Sequence, residues 1–126
     1  MMRIYLACPY SDPSPRVRRF RFGVVTEVAG LLMADGHHVY SPITHCHPIA
    51  EAVDLPKSFD YWRAYDLTFI DHWATHLSVL TLDGWERSKG VLAEMEHARG
   101  LGLPIDLLDL THRLLQDRGV GRGSNV

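Results

Sequence analysis

The 126-residue chain contains no long apolar run. Nothing in it approaches the roughly 18 consecutive apolar residues that a membrane-spanning helix needs. The first apolar run, Ile4 to Cys8, stops at Pro9 and is too short for a secretory signal. Cysteine is scarce. Cys8 and Cys46 cannot form a disulfide framework, and nothing in the sequence indicates export, so a cytoplasmic protein is expected. Charge of one sign is also missing. Thirteen Lys and Arg against fifteen Asp and Glu leave a net charge of −2, which argues against polymeric nucleic acid as the main partner. There is no GxSxG elbow, no GxGxxG and no Walker fingerprint. A hydrolase triad, a Rossmann dehydrogenase and an NTPase are therefore disfavoured.

What is present is an ordinary globular composition, with 46% hydrophobic and 22% charged residues, which excludes a disordered or collagen-like chain. The length suits one domain able to bury a core without staples. Ile4 to Cys8 reads as a buried strand followed by a loop. Ser14-Pro15 has the form of a helix cap with proline at the first helical position. Phe20, Val24, Val28 and Leu31 continue at helical spacing, and Gly36 supplies a stop. His38 to Ile43 is a second strand candidate, closed by Pro42. His45 to Pro56 reads as a polar loop with at most a turn of helix at Ile49 to Val53. A second helix runs from Ser58 to about Trp73, and a third strand from Leu77 to Leu82. A third helix spans Glu86 to Gly100, a fourth strand Ile105 to Leu110, and a short last helix Thr111 to Arg118. Residues 1–118 form a single domain on this reading, and 119–126, with no apolar period, are expected to fray.

Strands alternating with helices imply parallel pairing with helices on both sheet faces. The expected architecture is a three-layer α/β sandwich around a four- or five-stranded, mostly parallel sheet of flavodoxin-like order. Ligands bind such sheets at the carboxyl ends of the strands. That rule points to three loops: 9–15, 43–57 and 83–88.

Two carboxylates stand out. On the second helix Phe59, Trp62, Phe69, Ile70 and Trp73 share a broad face, and Asp66 lies in the middle of it. A carboxylate there is costly unless paired or protonated, and burial moves its pKa toward values useful for proton transfer. The alternative is a structural Asp that caps a loop or pairs with an arginine. On the third helix Glu94 flanks the Val91, Leu92, Met95 and Ala98 face and leans over Gly90, one turn earlier. Ser88 lies in the first turn, where a hydroxyl and free N–H groups suit an anion. Ser88-x-Gly90-x-x-x-Glu94 thus offers an anion seat beside a carboxylate. The alternative is a glycine that serves packing and a solvated Glu94.

Arg16, Arg18, Arg19 and Arg21 crowd a helix start, where the helix dipole disfavours cations. Arg16 lies nearest the first loop and is a candidate anion ligand, while a solvated face explains the other three. His45-Cys46-His47 lacks the paired spacing of a structural zinc site, and His72 and His76 lack the Glu of a metalloprotease motif. No metal site is expected. His45 and His47 are pocket-lining candidates. Cys8 at a strand end reads as a buried small hydrophobe.

Together these segments resemble the nucleoside 2-deoxyribosyltransferase superfamily, including its branch of nucleoside monophosphate N-glycosidases. Ile4-Tyr5-Leu6-Ala7-Cys8-Pro9-Tyr10 is similar to that family's strand-and-loop opening, Asp66-Leu67-Thr68-x-Ile70 to its acid/base helix, and Ser88-x-Gly90-x-x-x-Glu94 to its nucleophile segment. The order and spacing cover roughly residues 3 to 108. The resemblance implies Glu94 as nucleophile, Asp66 as acid/base group, Ser88 as phosphate contact and Tyr10 as the first-loop aromatic. Cys8 stands where that family usually has Gly. Cys8 and Pro9 belong to the same implied substrate loop. The implied activity is cleavage or transfer at the N-glycosidic bond of a nucleoside or nucleoside 5'-monophosphate, with no cofactor, in a homodimer or larger assembly. A non-catalytic nucleotide-binding or sensing module using the same cleft is the alternative. The aromatic residues Tyr61, Trp62, Tyr65, Phe69 and Trp73 independently suggest an interface.

Overall fold

The computed structural model describes residues 1–109. The expected last helix, Thr111 to Arg118, and the tail 119–126 lie outside the described residues. The chain runs β1 (Arg3–Ala7), α1 (Pro15–Ala34), β2 (His38–Tyr40), α2 (Pro42–Ala52), α3 (Phe59–His72), β3 (His76–Leu80), a 3-10 turn (Trp85–Arg87), α4 (Lys89–Gly100) and β4 (Ile105–Leu108). The described strands form one sheet in the order β2-β1-β3-β4, and every pairing is parallel. This is the three-layer α/β sandwich with flavodoxin-like order.

β1 and β3 occupy the centre, and both are almost wholly buried, as strands covered on both faces must be. Their alternation divides the core. Ile4, Leu6 and Cys8 face Val25, Val28, Ala29 and Leu32 of α1. Tyr5 and Ala7 face the other way, toward Ile70 of α3 and Val91, Met95 and Ala98 of α4. The connection from β1 goes outward to β2, whereas β3 lies on the opposite side of β1. The carboxyl ends of β1 and β3 therefore flank the switch in strand order, where open α/β sheets bind their ligands.

The helix starts follow local chemistry. Ser14, Ser41, Ser58 and Ser88 each accept a hydrogen bond from a first-turn backbone N–H, at residues 17, 44, 61 and 91 respectively. α1 and α3 fall close to their expected positions. Two segments differ. The loop expected from His45 to Pro56 is largely the 11-residue α2, and β2 ends at Tyr40. Ser41-Pro42 repeats the cap-and-proline signature of Ser14-Pro15, and it starts a helix for the same reason. Pro48 lies inside α2 and is exposed, and the helix tolerates its missing N–H. The third expected helix is also divided. Gly84, at φ 92°, turns the chain into the 3-10 segment, and Ser88 then restarts the backbone as the cap of α4.

Candidate active site

A cleft of about 360 Å³ opens at the carboxyl edge of the sheet. All three loop regions marked by the strand-end rule reach it. Cys8, Tyr10 and Ser11 come from the end of β1, and Ile43, Cys46, His47 and Ala50 from α2. Lys57 and Ser58 precede α3, and Arg87 and Ser88 precede α4. α3 adds Phe59, Trp62 and Asp66, and α4 adds Gly90 and Glu94.

Asp66 and Glu94 line this same cleft. They are 5% and 4% exposed, far less than carboxylates on solvated helix faces. Asp60 and Asp71, on the other side of α3, are exposed. Two tyrosines meet the buried pair. The Tyr5 hydroxyl donates to Glu94 Oε2. The Tyr40 hydroxyl lies 3.5 Å from Asp66 Oδ1 and 3.2 Å from Cys46 Sγ. Tyr5 and Tyr40 are register partners on β1 and β2, so both phenols project from one sheet face. Their rings lie 5.7 Å apart, and Phe69 stacks on Tyr40 at 3.9 Å.

Burial governs the electrostatics. It pushes Asp66 up to about 7, against the opposing hydrogen bond from Tyr40. It pushes Glu94 up to about 8, with the Tyr5 hydrogen bond opposing and the charge of Asp66 adding to the rise. Near neutral pH the two carboxyls therefore keep protons that a solvated pair would release. Tyr5 and Tyr40 are themselves raised by burial and remain O–H donors. Burial also pushes the Cys8 thiol up to about 12 and raises Cys46. Both cysteines thus face the cleft as un-ionised thiols and make poor nucleophiles.

The rim is polar. Tyr10 Oη lies 2.5 Å from His47 Nδ1. His47 Nε2 faces Glu51 Oε1 at 3.4 Å, and Lys57 Nζ faces Glu51 Oε2 at 3.4 Å. Arg87 and Lys89 line the mouth, and Lys89 pairs with Asp60 at 3.1 Å. Arg21 donates to the carbonyls of Ser11 and Asp83, each at 3.1 Å, and so ties the loop after β1 to the loop after β3. Arg18 donates to the carbonyl of Asp12.

The model of a family described as a domain of unknown function, DUF1937, matches residues 2–109. The chain belongs to the DUF1937 family. The comparison with curated proteins gave no match. The matched span contains every described element of this DUF1937 domain and every group of the cleft.

The sequence candidates divide on this geometry. Glu94, Asp66, Tyr10, Ser88, Gly90, Cys8 and His47 line the cleft. Pro9 is fully buried beneath the first loop and does not line it. Arg16 and His45 are corrections. Arg16 is exposed on α1 and lies outside the lining; Arg18 and Arg21, on the first and second turns, are the arginines that reach the loops. His45 is exposed because α2 is helical. Residues 43, 46, 47 and 50 face inward, and His45 turns back to the Ser41 carbonyl at 2.9 Å. Ser88 holds the α4 cap with its hydroxyl while lining the cleft. Gly90 serves close packing. A Cβ there would sit 3.2 Å from Cδ1 of Phe59, so the room beside Glu94 is taken by an aromatic wall.

Sequence reasoning missed Tyr5, Tyr40, Arg87 and Lys57. Tyr5 and Tyr40 read as strand core, and their register was needed to bring them to the carboxyls. Among the described residues there is no group of three or more His, Cys, Asp or Glu placed to hold a metal ion. No helix among them is long and apolar enough to cross a membrane.

Proposed function

We propose that this cleft binds a nucleoside or nucleoside 5'-monophosphate and cleaves or transfers at its N-glycosidic bond. The observation that carries the reading is the pair of buried carboxyls, Asp66 and Glu94, on separate helices of one cleft, each kept partly protonated near neutrality. A glycosyl transfer of this kind needs one ionised and one protonated carboxyl at the same moment. A pair that shares protons across neutral pH supplies that state. Tyr5 lowers the cost of charging Glu94 by donating directly to that carboxylate, but Asp66, at about 7 against about 8, releases its proton first, so the reactive arrangement with Glu94 ionised and Asp66 protonated is the minor tautomer of the pair.

Ionised Glu94 attacks the anomeric carbon. The carbon–nitrogen bond breaks, its electron pair leaves with the base, and Asp66 gives the base a proton. Water or a second base then attacks the glycosyl ester and returns a proton to Asp66, and Glu94 leaves as carboxylate. Phe59, Trp62 and Tyr10 are ring surfaces suited to a planar base or a sugar face. Arg87, Lys89 and the α4 N-terminus suit a phosphate better than Arg16 does.

The protein is further proposed to act as a homodimer or larger assembly. Tyr61 and Tyr65 on α3 are about half exposed, and their rings pack edge-on against Trp62, which itself lines the cleft.

The test is a panel of nucleosides and their 5'-monophosphates, with released base measured by chromatography. Release by wild type and none by Glu94→Gln supports the reading. Release that survives in Glu94→Gln removes the nucleophile. Tight binding with no release by wild type favours the binding-module alternative.

A further inference from the structure

We infer that His47 and Glu51 turn the Tyr10 hydroxyl into a hydrogen-bond acceptor, so that the cleft selects a ligand presenting a donor group there; on the N-glycosidic reading, on which this inference rests, that donor is a sugar hydroxyl.

A neutral imidazole has one N–H and one bare nitrogen. His47 Nε2 faces the Glu51 carboxylate at 3.4 Å, and the second oxygen of Glu51 faces Lys57 Nζ at 3.4 Å. The nitrogen opposite a carboxylate is the one that carries the proton. Nδ1 is then bare, and it lies 2.5 Å from Tyr10 Oη. The phenol proton goes to Nδ1. Tyr10 has no second proton, so its oxygen can only accept; Arg18 also hydrogen-bonds to it and takes one acceptor site, which leaves the other for a donor on the ligand. Tyr10, His47 and Lys57 all line the cleft, as do the rings of Phe59 and Trp62.

The neighbours of His47 keep the ring neutral. Phe22 of α1 packs against it at 5.0 Å. Burial lowers its pKa, Lys57 and Arg18 act in the same direction, and Glu51 opposes them. Protonation would give Nδ1 a hydrogen, reverse the Tyr10 bond and expose a donor to the ligand. The preference is therefore for a donor at neutral pH, and it weakens in acid.

Two measurements test this. The first needs no ligand. Long-range nitrogen–proton spectra of the imidazoles at pH 7.5, with His47 assigned from its absence in His47→Gln, should show the proton on Nε2. A proton on Nδ1 overturns the inference. The second measures binding of nucleosides in which one sugar hydroxyl at a time is replaced by fluorine, which keeps the size but cannot donate. In Glu94→Gln, used to prevent turnover, one position should lose roughly tenfold in affinity, the scale of one hydrogen bond. That loss should vanish when Tyr10→Phe is added and shrink when His47→Leu is added. Nucleosides that bind with the same fluorine losses with and without Tyr10→Phe overturn this inference alone. Failure of every nucleoside to bind overturns the N-glycosidic reading and, with it, the sugar hydroxyl as donor.

Discussion

Glu94→Gln should make the protein more stable while abolishing its turnover, and the size of the gain follows from burial. In an unfolded chain Glu94 titrates near 4.5, whereas in the fold burial holds it at about 8. Between these values the folded protein keeps a proton that the unfolded chain has released. Stability therefore falls as pH rises through this window, by about 1.4 kcal/mol for each pH step, and levels off above it. By pH 7 the cost reaches ~3 kcal/mol, a large share of the 5–15 kcal/mol that holds a typical domain together. Glutamine mimics the protonated acid. Its carbonyl still accepts from Tyr5, and it has no proton to lose. The variant should match wild type near pH 4, exceed it by about 1 kcal/mol at pH 5 and by ~3 kcal/mol at pH 7. Asp66, raised to about 7, adds a slope of the same sign, so the single variant keeps a shallower decline that Asp66→Asn/Glu94→Gln removes. Urea unfolding followed by tryptophan fluorescence at pH 5, 6, 7 and 8 reads both effects. A wild type whose stability stays flat or rises over that range would refute the buried, proton-holding Glu94. So would a variant no more stable at pH 8.

Four further outcomes are expected. Asp66→Asn should cut kcat by about 10²- to 10⁴-fold for ordinary bases, and much less for a nucleoside whose base departs without protonation; equal losses on both substrates would remove the acid role. Gly90→Ala should cost about 1 kcal/mol in thermal unfolding, because the ring of Phe59 must move and the gain in helix propensity only partly offsets that; a stabilised variant would show that the wall is not confined. Arg87→Ala should weaken binding of a nucleoside 5'-monophosphate by roughly tenfold and spare the nucleoside, whereas Arg16→Ala should change neither; the reverse pattern would return the anion seat to Arg16. Light scattering should report a multiple of the 14.3 kDa chain at tens of micromolar, reduced to a single chain by Tyr65→Glu; a monomeric wild type would remove the interface.

The architecture was legible because its signals are local. β1, α1, α3 and β3 declare themselves through apolar period, cap residues and glycine stops, and their alternation alone implies a parallel sheet. Asp66 was legible for a related reason: a charge centred on an aromatic face contradicts its surroundings, and such contradictions mark groups worth explaining. α2 was obscured by a conflict between two local signals. Ser41-Pro42 has the form of a helix start, yet Pro42 also closes the apolar run from His38 and so reads as the end of a strand. Once α2 is helical the separate fates of His45 and His47 follow, since residues two apart point to nearly opposite sides.

Tyr5, Tyr40 and Arg87 were not legible for a different reason, and it bears on how the cleft is built. Nothing within β1 distinguishes Tyr5 from its apolar neighbours. Its role appears only when the parallel register sets it beside Tyr40 and α4 brings Glu94 down onto the same face. The side-chain period of a strand is two, so a shift of one residue in either pairing would turn one phenol to the α1 side and leave a buried carboxyl without its donor. An unpartnered buried carboxyl costs far more than a solvated one. The hydrogen bonds at Glu94 and Asp66 therefore reinforce the β1–β2 register, and the register in turn assembles the acid pair. Fold and site depend here on the same two tyrosines, which is why Tyr5→Phe should both raise the pKa of Glu94 further and loosen the sheet edge at β2.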